Sequence, residues 1–466
     1  MQPNPTKTSN PAAALGAKYR RDAIVFLPAI GRAWDDPSIE GIARRIANVI
    51  DTGARHVKAK AKVRVQDQTY GDQGEFKTRV CTVFKTEDDK DSPVIDIYGM
   101  DYAATLTSHY QNRSLLYKSL FVALMIIRSF PLAVAQFWRA GKTVRENIQL
   151  AYGAAILSLL VVYMCSLVYA GYSSYKLLKD PVAATTRTPA PAPASVSATA
   201  TAANPNPSIR NKLTSFISNR ASVIFPVFIV ALSALGVVWP KGAKFRESIT
   251  EAATYSLCLI SYLTSGERSN AIAGKLDRLI EYIAEKEDLN YRHIHVIGYS
   301  FGSIVTLDAL FPSTRTPGPR FEKIHTLVTI GCPYDIVRNY YPGYFSNRTR
   351  RSNVPRRWFN VYTPVDVLSS NFSDDGGVTK ATRTIELRGE SNEKLEPPIN
   401  ILYAEGAFPK TQLSIWDVVM LMGFRSHTIY WGPTYESEIT CFHQIIPEMY
   451  GDDPLLSFEE TALAAG

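Results

Sequence analysis

The chain has 466 residues, 46% of them hydrophobic, with 51 basic against 43 acidic side chains and a net charge of +8. That length admits one large domain with an insertion, or roughly two to three domains. So small a charge excess does not argue for a nucleic-acid partner, and a mild positive balance suits an anionic membrane surface. The cysteines at 81, 165, 258, 332 and 441 are odd in number and form no CxxC pair. That speaks against a disulfide framework and a zinc site, and neither metal nor cofactor is expected.

Residues 1–19 are polar and contain Pro and Ala; they read as a flexible N-terminus with no visible signal peptide. Ala23-Ile24-Val25-Phe26-Leu27, between Arg21-Asp22 and Pro28, predicts a buried parallel strand. Ile39, Ile42, Ile46, Val49 and Ile50 mark one face of a helix over 39–50. From Val57 to Val65 apolar and basic residues alternate strictly, and Phe76 to Lys85 alternates in part after a polar, Gly-containing turn. This predicts a β-hairpin over 56–85 with one basic face. The face suits either docking on anionic lipid or another polyanion, or an edge strand whose lysines prevent edge-to-edge pairing; the second is preferred. Val94–Tyr98 reads as a further strand.

The middle of the chain has a different character. Residues 148–175 and 221–240 carry no charge, and a bilayer core needs ~20 predominantly apolar residues in a helix. Tyr152, Tyr169, Tyr172, Tyr175 and Trp239 lie toward the ends of these stretches, where interfacial aromatics are expected. They predict two transmembrane helices, at 146–175 and 220–240, with a pair of buried soluble helices as the alternative. The connector 176–219, dominated by Ala, Pro, Thr and Ser over 181–208, can bury little and is expected to be disordered or extended. The apolar patch 120–138, interrupted by Arg128 and Pro131, is read as part of an amphipathic lead-in over 116–145.

Beyond the insertion, Ile272, Leu276, Leu279, Ile280 and Ile283 define an amphipathic helix within 271–285. Gly298-Tyr299-Ser300-Phe301-Gly302 follows the apolar run Ile294–Ile297 and precedes a helical stretch from Ser303 to Leu310. A serine between two glycines at a strand-to-helix turn sits on a sharp elbow, its hydroxyl exposed and the next N–H aimed at a developing oxyanion. The glycines Gly298 and Gly302 are needed where strand and helix backbones nearly touch. Further strands are predicted at 324–330, 358–362 and 399–403, completing a doubly wound, mostly parallel sheet.

On the elbow, the strand sequence and two later segments, residues 20–115 and 250–450 resemble the α/β-hydrolase superfamily, within it the lipase/esterase-like serine hydrolases. The resemblance implies an α/β-hydrolase fold interrupted by a two-helix membrane insertion, with 451–466 as a tail. It also implies the chain order nucleophile, acid, histidine. Ser300 is then the nucleophile, and Asp366, just past the strand at 358–362, the acid; Asp335 is the runner-up, followed by Asp374 or Asp375. Of the two histidines after Asp366, His427 is preferred to His443, and its imidazole is expected within reach of both Ser300 and Asp366. The oxyanion donors implied are Phe301 N–H and an N–H of the loop after the first strand, from Ala29 or Ile30. Where lipases usually carry His-Gly this chain has Pro28-Ala29, and Pro28 has no N–H to donate.

These residues imply a serine hydrolase cleaving acyl esters through an acyl-enzyme, first a lipase, phospholipase or lipid esterase acting at the bilayer. A thioesterase or amidase on acylated protein or peptide, and an inactive membrane scaffold, are the alternatives. Two crossings between strands of one sheet keep both halves on one side, expected to be cytoplasmic.

Overall fold

In the computed structural model the first strand, β1 (Asp22–Leu27), is buried along its whole length. Described are residues 21–30, 38–53, 60–87, 90–111, 258–286, 289, 291–351, 354–363, 366, 368–373, 380–388, 395–403, 425–432 and 440–451, with Tyr117, Leu124 and Ala135 singly. The chain divides into two compact units, residues 1–113, 131–154 and 255–466 forming the first and 114–130 with 155–254 the second. Of the second unit, Tyr117 and Leu124 are described, both helical. The predicted membrane spans and their connector lie outside the described residues. Among the described residues no helix is long and apolar enough to cross a membrane.

After β1 come α1 (Ile39–Gly53), β2 (Lys60–Tyr70), β3 (Phe76–Glu87), β4 (Lys90–Gly99), α2 (Ala103–Gln111), α3 (Gly266–Glu285), β5 (Ile294–Tyr299) and α4 (Phe301–Leu310). A 3₁₀ turn at Pro319–Lys323 leads to β6 (Ile324–Ile330), α5 (Tyr334–Tyr340), β7 (Arg357–Tyr362) and β8 (Ile399–Leu402). A second 3₁₀ helix, Arg425–Trp431, and α6 (Phe442–Tyr450) close the unit. The strands form one eight-stranded sheet in the order β2-β3-β4-β1-β5-β6-β7-β8. From β4 to β8 every pairing is parallel, while β2 and β3 are antiparallel at one edge. The architecture is α/β with a mostly parallel sheet, as the alternation of strand and helix predicted.

Side chains alternate across β1, so Ala23, Val25 and Leu27 enter one core and Ile24 and Phe26 the other. On the first face α3 buries Ile272, Leu276, Leu279, Ile280 and Ile283, the set read from the helical period. Truncating any one of the larger of these to Ala would cost about 2–5 kcal/mol. On the second face α1 buries Ile42, Ile46, Val49 and Ile50 alongside Phe442, Ile445 and Ile446 of α6. Ser38 begins α1 by accepting the Gly41 N–H on its hydroxyl at 3.1 Å, which satisfies one of the donors a helix start leaves open.

The hairpin forms, and β2 is the outermost strand. Ala61 and Val63 pack against the second core. Lys62 and Arg64 point away from it, Lys62 pairing with Asp91 at 3.1 Å and the Arg64 guanidinium lying over the Phe84 ring at 4.9 Å. An exposed strand edge is a template for pairing, and charged side chains along it oppose that. Residues 54–59, the start of the predicted hairpin, lie outside the described residues. Cys81, Cys258, Cys332 and Cys441 are buried free thiols. Burial pushes Cys81 up to about 11 and Cys258 up to about 12, and raises the other two as well.

At the amino ends of the strands, Asp22 accepts two hydrogen bonds from Arg292, at 3.2 and 2.8 Å, and the His293 N–H at 3.2 Å. His295 Nε2 lies 3.5 Å from the same carboxylate. Burial alone would raise Asp22, but the hydrogen bonds and charges of His295 and Arg292 outweigh it and bring its carboxyl from 3.8 to about 2. The His325 ring lies against that of His293, tilted by 37° with centres 4.3 Å apart. Burial, then the neighbouring His293, His295, Arg356 and Arg357, lowers its pKa from 6.5 to about 4. Between 4 and 6.5 the unfolded chain therefore binds a proton at His325 that the folded chain does not, so stability falls as pH drops through that window. Asp22 has the same sign between 3.8 and about 2. Urea denaturation at stepped pH should show both losses, and His325→Gln should flatten the upper one.

Candidate active site

The chain leaves β1 toward β4 on one side and returns through α3 to β5 on the other, so its connections diverge at β1 and β5. In open parallel sheets such a divergence leaves a crevice at the carboxyl ends of the strands. Both the loop after β1 and Ser300 are there.

Ser300 joins β5 to α4 with φ 54° and ψ −123°, a backbone region rarely open to a residue with a Cβ and costing about 1–3 kcal/mol. Its N–H donates to Ile330 O at 2.8 Å and its carbonyl accepts the Ser303 N–H at 3.0 Å. The need for glycine on either side is steric. A Cβ on Gly298 would come within 2.6 Å of Ser303 Cα, and one on Gly302 would collide with the carbonyl oxygens of Leu27 and Pro28. The elbow thus rests directly on the backbone after β1. Phe301 N–H, in the first turn of α4, is one of the donors without a partner inside the helix. Tyr102 holds the facing loop by donating to Pro28 O at 2.6 Å. Ala29 and Ile30 follow there, partly exposed and buried respectively.

Asp366 follows β7 by four residues and is wholly buried. Its Oδ1 accepts Leu368 N–H at 3.0 Å, and its Oδ2 lies 2.7 Å from His427 Nδ1. A carboxylate only accepts, so with Asp366 ionised Nδ1 carries the proton and Nε2 presents a lone pair. That Nε2 is buried without a hydrogen-bond partner, and the Ser300 side chain forms no bond to it. The His427–Asp366 half of the expected arrangement is in place, and the Ser300–His427 bond is not made.

Four residues given no role in the sequence reading hold His427 and Asp366 beside the elbow. The Tyr299 ring stacks on the imidazole at 5.2 Å and 21°, and its hydroxyl donates to His427 O at 2.7 Å. Gly331, with φ 59°, lets β6 pass under the ring, since a Cβ there would sit 2.9 Å from His427 Cε1. Arg45 of α1 donates to Trp431 O at 2.7 Å and fixes the end of the 3₁₀ helix that carries His427. Tyr430, also on that helix, donates its hydroxyl to Asp366 Oδ2 at 2.8 Å. Tyr299 occupies the first variable position of the elbow motif and His427-x-x-Tyr430 has 3₁₀ spacing, signals that gain meaning once Asp366 is known to lie between them.

The runner-up residues are engaged elsewhere. Asp335 pairs with Arg383 at 2.8 Å, both buried. His443 Nδ1 accepts Thr440 N–H at 3.1 Å at the start of α6. Asp374 and Asp375 lie outside the described residues. Among the described residues, Asp22, His293 and His295 bring potential metal ligands within 4.8 Å of one another. Ligands around a tetrahedral ion stand roughly 3.4 Å apart, and Arg292 already holds both Asp22 oxygens, so this group is a buried ion-pair cluster. Comparison with known proteins returned no matching family model, no matching curated protein and no matching solved structure.

The close contacts make two substitutions diagnostic. Gly302→Ala should lower stability by about 2–3 kcal/mol through backbone displacement. Gly331→Ala should cost about 1–2 kcal/mol through its positive φ and move the imidazole. Urea midpoints measure the first effect, and the His427 ring resonances report the second.

Proposed function

We propose that this protein is a serine hydrolase of the α/β-hydrolase type that cleaves acyl esters through an acyl-enzyme. The observation that carries the proposal is Ser300, held at φ 54° on a strand-to-helix elbow, next to an imidazole whose Nδ1 is bound by the buried Asp366. His427 Nε2 takes the Ser300 proton as Oγ attacks the acyl carbonyl carbon. Asp366 keeps the imidazole in the tautomer that leaves Nε2 open, and stabilises it once charged. Phe301 N–H and a donor from Ala29 or Ile30 stabilise the oxyanion. Collapse expels the alcohol with the proton from His427, and water activated by the same nitrogen releases the acid.

Lipid esters are the substrate class. Two uncharged stretches, 148–175 and 221–240, tether the hydrolase to a bilayer, where acyl esters are locally concentrated. β1 and β5 pair directly although the insertion separates them in sequence, so membrane crossings between them must be even in number. Two crossings, with 181–208 across the membrane and the sheet on the cytoplasmic side, satisfy this. An inactive scaffold is the second reading, favoured by the missing Ser300–His427 bond and by Pro28 in the oxyanion loop.

A fluorophosphonate probe separates the two. Ser300→Ala should lose labelling while remaining folded, His427→Ala should lose it nearly as completely, and His443→Ala should keep most of it. No labelling of the wild-type protein in membranes or detergent would favour the scaffold. In sealed vesicles, protease should cut residues 181–208 from the face opposite to that exposing the two ends. Cleavage of all three from one face would sink the hairpin.

A further inference from the structure

Tyr430 is fully buried, yet its hydroxyl is spent on the one oxygen that also faces His427: Asp366 Oδ2 lies 2.8 Å from the phenol and 2.7 Å from Nδ1. The placement follows from local geometry. Residues three apart eclipse one another on a 3₁₀ helix, so in Arg425–Trp431 the side chains of His427 and Tyr430 leave on one side and both reach Asp366. The opposite oxygen is fixed by Leu368 N–H at 3.0 Å. The carboxylate is thus held from the backbone on one oxygen and from two side-chain donors on the other. Tyr430 itself cannot drift, because its ring lies against Gly331, where an added Cβ would stand 3.1 Å from Cε2, and Cys441 N–H holds its carbonyl at 3.0 Å.

We propose that Tyr430 is a positioning residue for the His427–Asp366 pair. Its hydroxyl fixes the rotation of the Asp366 carboxylate and shares Oδ2 with the imidazole, so that His427 is aimed toward Ser300 without being drawn fully onto the acid. The inference rests on the serine-hydrolase reading for its effect on rate, but the contact between the three side chains can be measured without any reaction. Replacing the phenol with phenyl removes one donor from a carboxylate that has no access to water. A hydrogen bond to a charged group in such a setting is stronger than one between neutral groups. With the phenol no longer competing for Oδ2, the imidazole Nδ1–H should bind that oxygen more tightly, and the carboxylate gains freedom to turn.

Two measurements on Tyr430→Phe test this. With p-nitrophenyl butyrate as the probe ester, kcat should fall roughly tenfold with KM within about twofold of wild type, the pattern of a group acting on the transition state and not on substrate binding. In the Ser300→Ala background, the low-field proton resonance of His427 Nδ1–H should move further downfield when Tyr430 is also replaced by Phe. A purely structural role would lower the urea midpoint and leave both readouts unchanged, and that outcome overturns the proposal. If Tyr430→Phe fails to fold, incorporation of 3,5-difluorotyrosine at 430 preserves the shape and strengthens the donor. The Nδ1–H resonance should then move upfield, and an unmoved resonance again overturns the proposal. If Ser300 in the wild-type protein proves inert to fluorophosphonate, the hydrolase reading fails, while the resonance still decides whether Tyr430 positions His427.

Discussion

The rest of the candidate site depends on a contact between backbones. Gly302 lies so close to the carbonyls of Leu27 and Pro28, and Gly298 to Ser303, that no side chain fits at either position. This brings the start of α4 onto the loop after β1, two segments separated by more than half of the chain. It also leaves Ser300 no ordinary backbone conformation. The strain is offset by what surrounds it: every residue of α4 is buried, and the hydrogen bond from Ser300 N–H to Ile330 O ties the elbow to β6. A conformation costing about 1–3 kcal/mol persists only where neighbours over-determine it.

The two ends of the parallel strands are built from different materials. At the amino ends, charge is neutralised in place: Arg292 and two histidines surround the buried Asp22. At the carboxyl ends, His427 is held by an aromatic face and by a carboxylate, which also accepts the Tyr430 hydroxyl. Buried arginines pair with acids on two of the helices. Arg348 joins Asp308 of α4 at 2.7 Å and donates to Phe311 O at 2.9 Å, and Arg383 joins Asp335 of α5 at 2.8 Å. Breaking either pair would strand a charge away from water, which typically costs about 3–5 kcal/mol.

Elements with a repeating pattern were legible in the sequence. The 3.6-residue stripe in α3 and the alternation in β2 state which face is buried, while the apolar runs of β1, β5 and β6 mark strands covered on both. Val65 departs from the alternation: it stands exposed near the middle of the outermost strand, where little covers the sheet. Helices α2 and α5 were not anticipated. Seven residues after Gly331-Cys332-Pro333 are too few for a stripe to emerge in α5, and the α2 segment Ala103–Gln111 has apolar and polar residues on all sides. At the site, Ser300 and its glycines were readable because local sterics demand them. Asp366 and His427 were readable from chain order. Tyr299, Gly331 and Tyr430 were not, because their parts are defined by a partner as many as 64 residues away in the chain for Tyr430 and 128 for Tyr299.

The buried thiols give this fold an internal set of clocks. A thiol attacks as its thiolate, and each described cysteine is both covered and held protonated by burial. None reacts until the segment covering it opens, so the rate at which each is modified reads the free energy of that opening alone. Their positions happen to sample distinct parts of the unit. Cys81 lies on β3, one strand in from the edge, Cys258 just ahead of α3, Cys332 immediately beyond the β6 end that touches His427, and Cys441 at the start of α6. The order in which the four become reactive would map, without any engineered label, which parts of the sheet come apart while the rest stays closed.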